Sequence, residues 1–313
     1  MPYDNIISRT DADVFIPEEE ATQVLEAAIE SSAALQFFPT TTMSTKTRRV
    51  PVLATLPIAY FVNGDTGLKQ TTEMAWAGKY MEAEEIAAII PIPEAVLDDA
   101  DVDIWAMVRP RLAEAVGKTL DAAIFFGANK PASWPVAIVP AAIAAGNVET
   151  RGSNDASEGG IAADISDLFA VPEADGYTVD GFVTKGSYKG YLRNARDANG
   201  VLLSEVSQGT IYGVPIAFAM AGYWPSGAGS AEGIAGDFQQ GLIGVRQDLT
   251  YKVLDQAVLT DDTGKVIYNL PQQDMLALRV TARYAWQVAN PPTAENPDDA
   301  TRYPFAVMQS AAP

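Results

Sequence analysis

RRVPVLATLPIAYFVNGDTGLKQTTEMAWAGKYMEAEEIAAII, running from Arg48 to Ile90, is the stretch whose reading decides the fold. From Val50 to Val62 every even position is apolar: Val50, Val52, Ala54, Leu56, Ile58, Tyr60 and Val62. A period of two puts these side chains on one face of an extended strand. Asn63-Gly64-Asp65, followed by Gly67, supplies residues that tolerate the conformations of a tight turn. The chain then returns through Met74, Trp76 and Tyr80 to Ile90 with strand-like composition. Pro51 and Pro57 have no N–H to donate, which places the first arm at an edge or beside irregular partners. Each arm is about twice the usual five or six residues. At roughly 3.3 Å per residue the hairpin can project on the order of 40 Å. A lone two-stranded ribbon is marginal in water. Its apolar face needs cover, and cover from a second copy of the chain is the simplest answer. A hairpin folded over its own domain is the alternative.

On the N-terminal side, residues 1–16 carry few periodic apolar positions and are expected to form an extended arm. Pro17 and Glu18-Glu19-Glu20 then suit the first turn of a helix, where Pro loses no hydrogen bond and carboxylates face the positive end of the dipole. Ala21, Val24, Leu25, Ala28 and Ile29 continue it at helical spacing towards Phe37, and Pro39 ends it. On the C-terminal side, Pro93-Glu94 opens a short helix to Asp98, and Asp101 or Asp103 can cap a long one. Ile104, Val108, Leu112, Val116, Leu120 and Ile124 recur every four residues, and Gly127 closes the run. That helix spans about 35 Å at 1.5 Å per residue, and Pro110 is expected to kink it or break its first turns.

The remainder alternates. Helices are expected near 165–170 and 187–194, and strands near 181–184, 214–219, 242–254, 265–270 and 275–288, with a Gly-rich flexible surface loop over 222–236. The fold class is α+β.

Composition closes most chemistries. There is no Cys, hence no disulfide or thiolate site, and no His, hence no Ser-His-Asp triad and no imidazole ligand. With 40 acidic and 21 basic residues the net charge is −19, which repels nucleic-acid phosphate. No apolar run is long enough to span a bilayer, the best candidate being the short Pro135–Ala145 segment, and MPYDNIISRTDADVF does not have the form of a signal peptide. A soluble protein made in a cytoplasm is expected, with no cofactor and no metal.

Motif fragments have plain readings. Gly227-Ala-Gly229-Ser-Ala-Glu-Gly233 is one residue too long for a dinucleotide fingerprint and reads as a loop. Asp262-Thr263-Gly264-Lys265 lacks the rest of a phosphate loop and reads as a hairpin turn. Glu82, Glu84 and Glu85 read as a solvated or intersubunit-paired face, and Arg48 and Arg49 offer opposite charge at the hairpin base.

The order of these pieces resembles the tailed-phage major capsid family, with the Hong Kong ninety-seven fold. Arg48 to Ile90 is similar to its extended hairpin, the E-loop. IWAMVRPRLAEAVGKTLDAAIFFG, Ile104 to Gly127, resembles its spine helix. DGFVTKGSYKGYLRNARDANGVLL, Asp180 to Leu203, and GTIYGVPI, Gly209 to Ile216, resemble parts of its axial domain. Gly236-Asp237-Phe238 resembles a family turn, Ala277 to Val288 the long peripheral-domain strand, and Pro304-Phe305-Ala306-Val307 the closing segment.

The resemblance implies an arm over 1–16, an N-terminal helix over 17–47, and an E-loop over 48–90. It also implies a spine helix over 91–130, an axial domain over 131–274, and a peripheral return strand with the C-terminus over 275–313. It implies a structural, non-enzymatic subunit forming pentamers and hexamers of an icosahedral shell around double-stranded DNA, assembled in the host bacterial cytoplasm. Portal and decoration proteins are implied partners, and a separate scaffold or none is implied, because the chain starts at Met1 without room for a scaffolding region. Arg48, Arg49, Phe61, Lys69, Glu73, Trp76 and Tyr80 are the expected inter-subunit contacts. Some relatives link an E-loop Lys covalently to a neighbour's Asn; Lys69 lies near the tip, but without an identifiable partner Asn it reads as a solvated Lys. An encapsulin-type nanocompartment shell and a carboxylate-dependent hydrolase are the alternatives.

Overall fold

A computed structural model describes residues 32–310 apart from 58, 60, 62–68, 70, 100–102, 197–198, 203–207, 220–221, 227–229 and 262. The expected arm, most of the helix expected from Pro17, the turn at 63–67 and the Gly227–Gly229 stretch lie outside the described residues.

A short helix α1 (Ala33–Phe37) leads to strand β1 (Thr40–Thr42) and the hairpin arms β2 (Thr47–Thr55) and β3 (Ala75–Glu82). Strand β4 (Glu84–Pro93), helix α2 (Glu94–Asp99) and the long helix α3 (Ile104–Asp121) follow, the last continued by a π-helical turn over Ala122–Phe126. Next come α4 (Ile138–Ala145), β5 (Val148–Thr150), α5 (Ile161–Ala174), β6 (Gly181–Lys185), α6 (Lys189–Leu192), β7 (Thr210–Ile211), β8 (Val214–Ala219) and β9 (Ala231–Gly236). The chain closes with β10 (Gly241–Leu254), a small ribbon of β11 (Val258–Thr260) and β12 (Val266–Asn269), β13 (Met275–Val288) and β14 (Phe305–Gln309).

Two sheets organise these elements. One has the order β1-β10-β13-β4, the other β5-β14-β9-β6-β8-β7. The chain passes between them more than once, since β10 pairs with β13 while β14 joins β5 and β9. Aromatic rings join the sheets: Phe38 packs on Trp286 of β13 at 4.6 Å and on Phe238 at 4.9 Å, and Phe238 meets Phe305 of β14 at 5.3 Å. All four are buried, and each contributes about 1.5–3 kcal/mol through the apolar area it removes from water.

Helix α3 starts where Asp103 accepts a hydrogen bond from the Ala106 N–H at 3.1 Å. It buries Leu112, Val116 and Leu120 against the even-numbered side chains of β13, among them Leu278, Val280 and Ala282. Pro110 does not break it. The ring sits early in the helix, where it forfeits a single backbone bond, and the helix runs on to Asp121. Gly127, at φ +76, donates to the Ala123 carbonyl and closes the run.

Two expectations change. Both hairpin arms are shorter than expected. The outgoing arm is a strand only as far as Thr55, with the described residues 56, 57, 59 and 61 outside it. The return arm stops at Glu82 rather than continuing to Ile90, since β4 belongs to the four-stranded sheet, paired with β13 from Met275↔Pro93 to Tyr284↔Glu84. The Ala83 N–H still donates to the Lys46 carbonyl at 2.8 Å, in register with the ladder, and the buried Ala83 packs with Met43, Met81 and Ala285 where the chain passes into the other sheet. The second change concerns 222–236, which is not a loop throughout, because β9 is a strand buried along its whole length. Its glycines are demanded by packing. A Cβ on Gly233 would stand 2.6 Å from the Phe182 ring, and one on Gly236 would stand 2.3 Å from the Pro304 carbonyl.

Candidate assembly surface

The hairpin is a sheet of β2 and β3 alone, in the antiparallel register Arg48↔Met81, Val50↔Lys79, Val52↔Ala77, with Arg49↔Tyr80, Pro51↔Gly78 and Leu53↔Trp76 between them. Opposed residues share a face, and the faces alternate. One face turns to the body. Val52 and Met81 are buried there, and Met81 packs with Met43, Ala83 and Ala285 of β13. The other face carries Arg49, Leu53, Trp76, Gly78 and Tyr80, and here Trp76 is 63% and Tyr80 60% exposed. Beyond the paired strands, Phe61 is fully exposed at 101%, and Lys69, Glu73 and Met74 are exposed too.

Polar contacts fix the base. The Lys79 ammonium donates to the Val288 carbonyl at 3.0 Å, and Gln287 donates to the Tyr80 carbonyl at 2.8 Å. Burial pulls the Lys79 amine below the usual lysine range, partly offset by the nearby Asp299 carboxylate. Lys46 pairs with Glu82 at 2.7 Å and reaches Glu84 at 3.9 Å. Trp134 Nε1 donates to the Glu82 carbonyl at 3.1 Å. The base is therefore docked on its own body, whereas Trp76 and Tyr80 on the outward face, and Phe61, Lys69, Glu73 and Met74 beyond the strands, are left to solvent. The expectation that the molecule cannot cover the ribbon holds for those parts and fails for the base.

A groove of roughly 710 Å³ separates the distal part of the first arm, Ala54 to Pro57 and Ala59, from Pro292, Thr293, Ala294 and Pro297. Its far wall is hydrogen-bonded to the body. Arg302 holds that segment by donating to Asn296 O at 3.1 Å, Asn290 O at 3.3 Å and Asp299 Oδ1 at 3.0 Å.

The expected contact residues fall into three groups. Arg49, Trp76 and Tyr80 are brought together on the outward face. Phe61, Lys69 and Glu73 lie exposed beyond the paired strands. Arg48 is engaged with its own chain, donating to Thr41 Oγ1 at 2.7 Å and Thr42 O at 2.9 Å. Glu82, Glu84 and Glu85 find partners within the chain: Lys46, then Ser133 at 2.8 Å, then Arg283 at 2.7 Å. Among the described residues no group of acidic side chains could hold a metal ion, and no helix is long and apolar enough to cross a membrane. Asp261 accepts hydrogen bonds from the Thr263 and Lys265 backbones, and Gly264 has φ +83, so the Gly-Lys pair lies in the β11–β12 turn. Lys46, Lys79 and Ala83 were not anticipated. Their roles depend on the register of β2 and β3, which sets Lys79 opposite Val50 and is not written in the local sequence pattern.

The sequence matches the phage capsid family over residues 12–294. The chain belongs to the phage capsid family. This capsid subunit is 26% identical over 293 residues to the major capsid protein of Staphylococcus phage 80alpha, covering 92% of this chain and 86% of that one. A solved chain from Mycobacterium phage Bobi is 36% identical with a TM-score of 0.84, covering 99% of this chain and all of that one. One from Microbacterium phage Oxtober96 is 35% identical with a TM-score of 0.82, covering 98% and 100%. The subunit is a structural protein of a virion shell with the Hong Kong ninety-seven fold, and neither the nanocompartment nor the hydrolase reading has comparable support.

Proposed function

We propose that the subunit assembles into pentamers and hexamers of an icosahedral shell enclosing double-stranded DNA, within the host bacterial cytoplasm, aided by separate scaffold, portal and decoration proteins. The carrying observation is the division of the hairpin into a docked base and an exposed apolar remainder with Phe61, Trp76 and Tyr80. A cluster of exposed large rings on a projecting ribbon marks an interaction site, and shell formation repeats such a contact by symmetry. Arg49, Phe61, Lys69, Glu73, Trp76 and Tyr80 serve as contacts with neighbours, and Arg48 supports them by bracing the hairpin base against β1. The net charge of −19 suits a wall that must not adhere to packed DNA. In the proposed division, the four-stranded sheet with α3 forms the peripheral part and the six-stranded sheet the axial part.

The test is deletion of residues 55–75 across the hairpin. The expected product is folded, with the melting transition of the intact chain, but forms no shells in electron micrographs. Normal shells from the deleted protein would overturn the reading.

A further inference from the structure

Four dipeptides in the chain place a glycine directly after an Asn or Asp: Asn63-Gly64, Asp175-Gly176, Asp180-Gly181 and Asn199-Gly200. A glycine, having no Cβ, leaves the linking backbone nitrogen free to close on the preceding side-chain carbonyl carbon. Asn63-Gly64 lies outside the described residues, and the fold treats the other three differently. Asp175 is buried and accepts from the Asn147 and Asn296 amides at 3.0 and 2.7 Å and from the Tyr303 N–H at 3.1 Å. The Gly176 N–H donates to the Glu173 carbonyl at 2.9 Å, so both reacting groups are engaged. Asp180 accepts from the Phe238 N–H at 2.7 Å, and Gly181 enters β6 opposite Gly236. Asn199-Gly200 is instead part of an exposed turn. Residues 199–202 are all exposed, Gly200 has φ +80, and nothing lies within 4 Å of where its Cβ would stand. The bridge Arg196↔Leu202 closes the turn, and the Arg196 guanidinium donates to the Gly200 carbonyl at 3.0 Å. Arg196 has no carboxylate within ion-pair distance among the described residues. Opening of such an exposed turn costs little free energy.

We propose that Asn199 is a site of covalent modification by deamidation, chosen over Asp175 and Asp180 by the exposed turn that carries it. The Gly200 nitrogen gives up its proton to water and bonds to the side-chain carbonyl carbon of Asn199. The bond from that carbon to the side-chain nitrogen breaks, and the nitrogen leaves as ammonia, which closes a cyclic imide. Water then adds at one of the two imide carbonyls and breaks its bond to nitrogen. The product is aspartate, or isoaspartate where the chain is rerouted through the side chain. Water is the co-reactant, and nothing is oxidised or reduced. The new carboxylate arises beside Arg196 and adds one negative charge to the subunit. Isoaspartate also lengthens the backbone inside the turn, which pulls Arg196 and Leu202 out of register. The inference is independent of the assembly reading.

The test is a time course on the purified full-length protein. One sample is aged folded at neutral pH and another in urea, where the fold protects nothing, and digests of both are mapped by mass spectrometry. In the folded sample the peptide containing Asn199 should gain the mass that separates an acid from an amide and split into two chromatographic forms, aspartate and isoaspartate. Its rate should lie within tenfold of the rate in urea. Asp175 and Asp180 should form isoaspartate in urea and none in the folded sample. An Asn199 that converts more than tenfold slower folded than in urea overturns the inference, as does isoaspartate at Asp175 or Asp180 in the folded sample at the rate of Asn199. As a second measurement, Gly200→Ala places a methyl group in open space on the turn and hinders ring closure. It should slow conversion of Asn199 at least tenfold in the folded protein; an unchanged rate means direct hydrolysis of the amide and overturns the cyclic route.

Discussion

The guanidinium of Arg49 lies across Gly78 on the neighbouring strand, so close that a Cβ at position 78 would stand 2.0 Å from Arg49 Nε. The missing side chain lets the arginine cross the ribbon between Trp76 and Tyr80, which flank Gly78 on the outward face. The colliding atom is the end of a flexible side chain, so Gly78→Ala can be absorbed by swinging Arg49 away. Unfolding midpoints should move by no more than about 0.5–1 kcal/mol, the range for a surface change in a strand. If Arg49 is a contact, both Gly78→Ala and Arg49→Ala should lower shell yield at least tenfold in sedimentation assays. An Arg49→Ala protein that assembles at the normal rate removes Arg49 from the surface.

The two hairpin faces predict opposite phenotypes. Met81→Ala empties a fully buried position beneath the base and should cost about 2–5 kcal/mol in denaturant titrations, as large-to-small core changes do. Trp76→Ser and Tyr80→Ser act on side chains more than half exposed, and should change monomer stability by less than about 1 kcal/mol while blocking assembly. Stability loss from Trp76→Ser equal to that from Met81→Ala would mean the outward face is covered within the subunit.

How much of this was legible in the sequence follows from what each signal reports. Alternation from Val50 reports a strand as far as Thr55, and the four-residue recurrence from Ile104 to Ile124 reports the long helix, because both are one-element patterns. Met275–Val288 is a strand over its full expected length. The stop at Glu82 is invisible to such a pattern, since it depends on the packing of Ala83 with Met43 and Ala285 and on the pairing of β4 with β13, all remote in sequence. For the same reason β9 passed for a loop: Gly233 and Gly236 mark turns when read locally, and the rings they accommodate, Phe182 and Phe305, come from elsewhere. Which hairpin residues face the body was likewise undetermined until register placed Lys79 opposite Val50.

That account of β9 makes its own prediction. Gly236→Ala would push a methyl group into the backbone at Pro304 and the Phe305 ring, neither of which can swing aside. Overpacking of this kind costs about 1–3 kcal/mol or more. Gly186→Ala, where nothing lies within 4 Å of the new methyl, should be close to neutral. Equal melting temperatures for the two variants would show that β9 is not locked between its neighbours.

Asp121 should govern stability at acid pH. Fully buried, it accepts from the Ser32 hydroxyl at 2.5 Å, the Ala33 and Ala34 N–H groups at 3.0 and 3.1 Å, and the Tyr223 hydroxyl at 3.2 Å, thereby holding the start of α1 against the end of α3. Burial pushes its carboxyl above the usual aspartate range, and the four donors pull it back only in part. A folded value above the unfolded one means that the folded state holds more protons between the two, so stability contributed by this group grows as pH falls through that window and is lost as pH rises through the folded value. Asp121→Asn sets an amide against donors and should cost about 1–3 kcal/mol at pH 7. It also removes the titration, so the wild type should gain on the variant as pH is lowered from 7 towards 4. Urea titrations of both proteins across that range measure the difference directly; a gap that stays constant or narrows on acidification would show that the carboxyl is not raised.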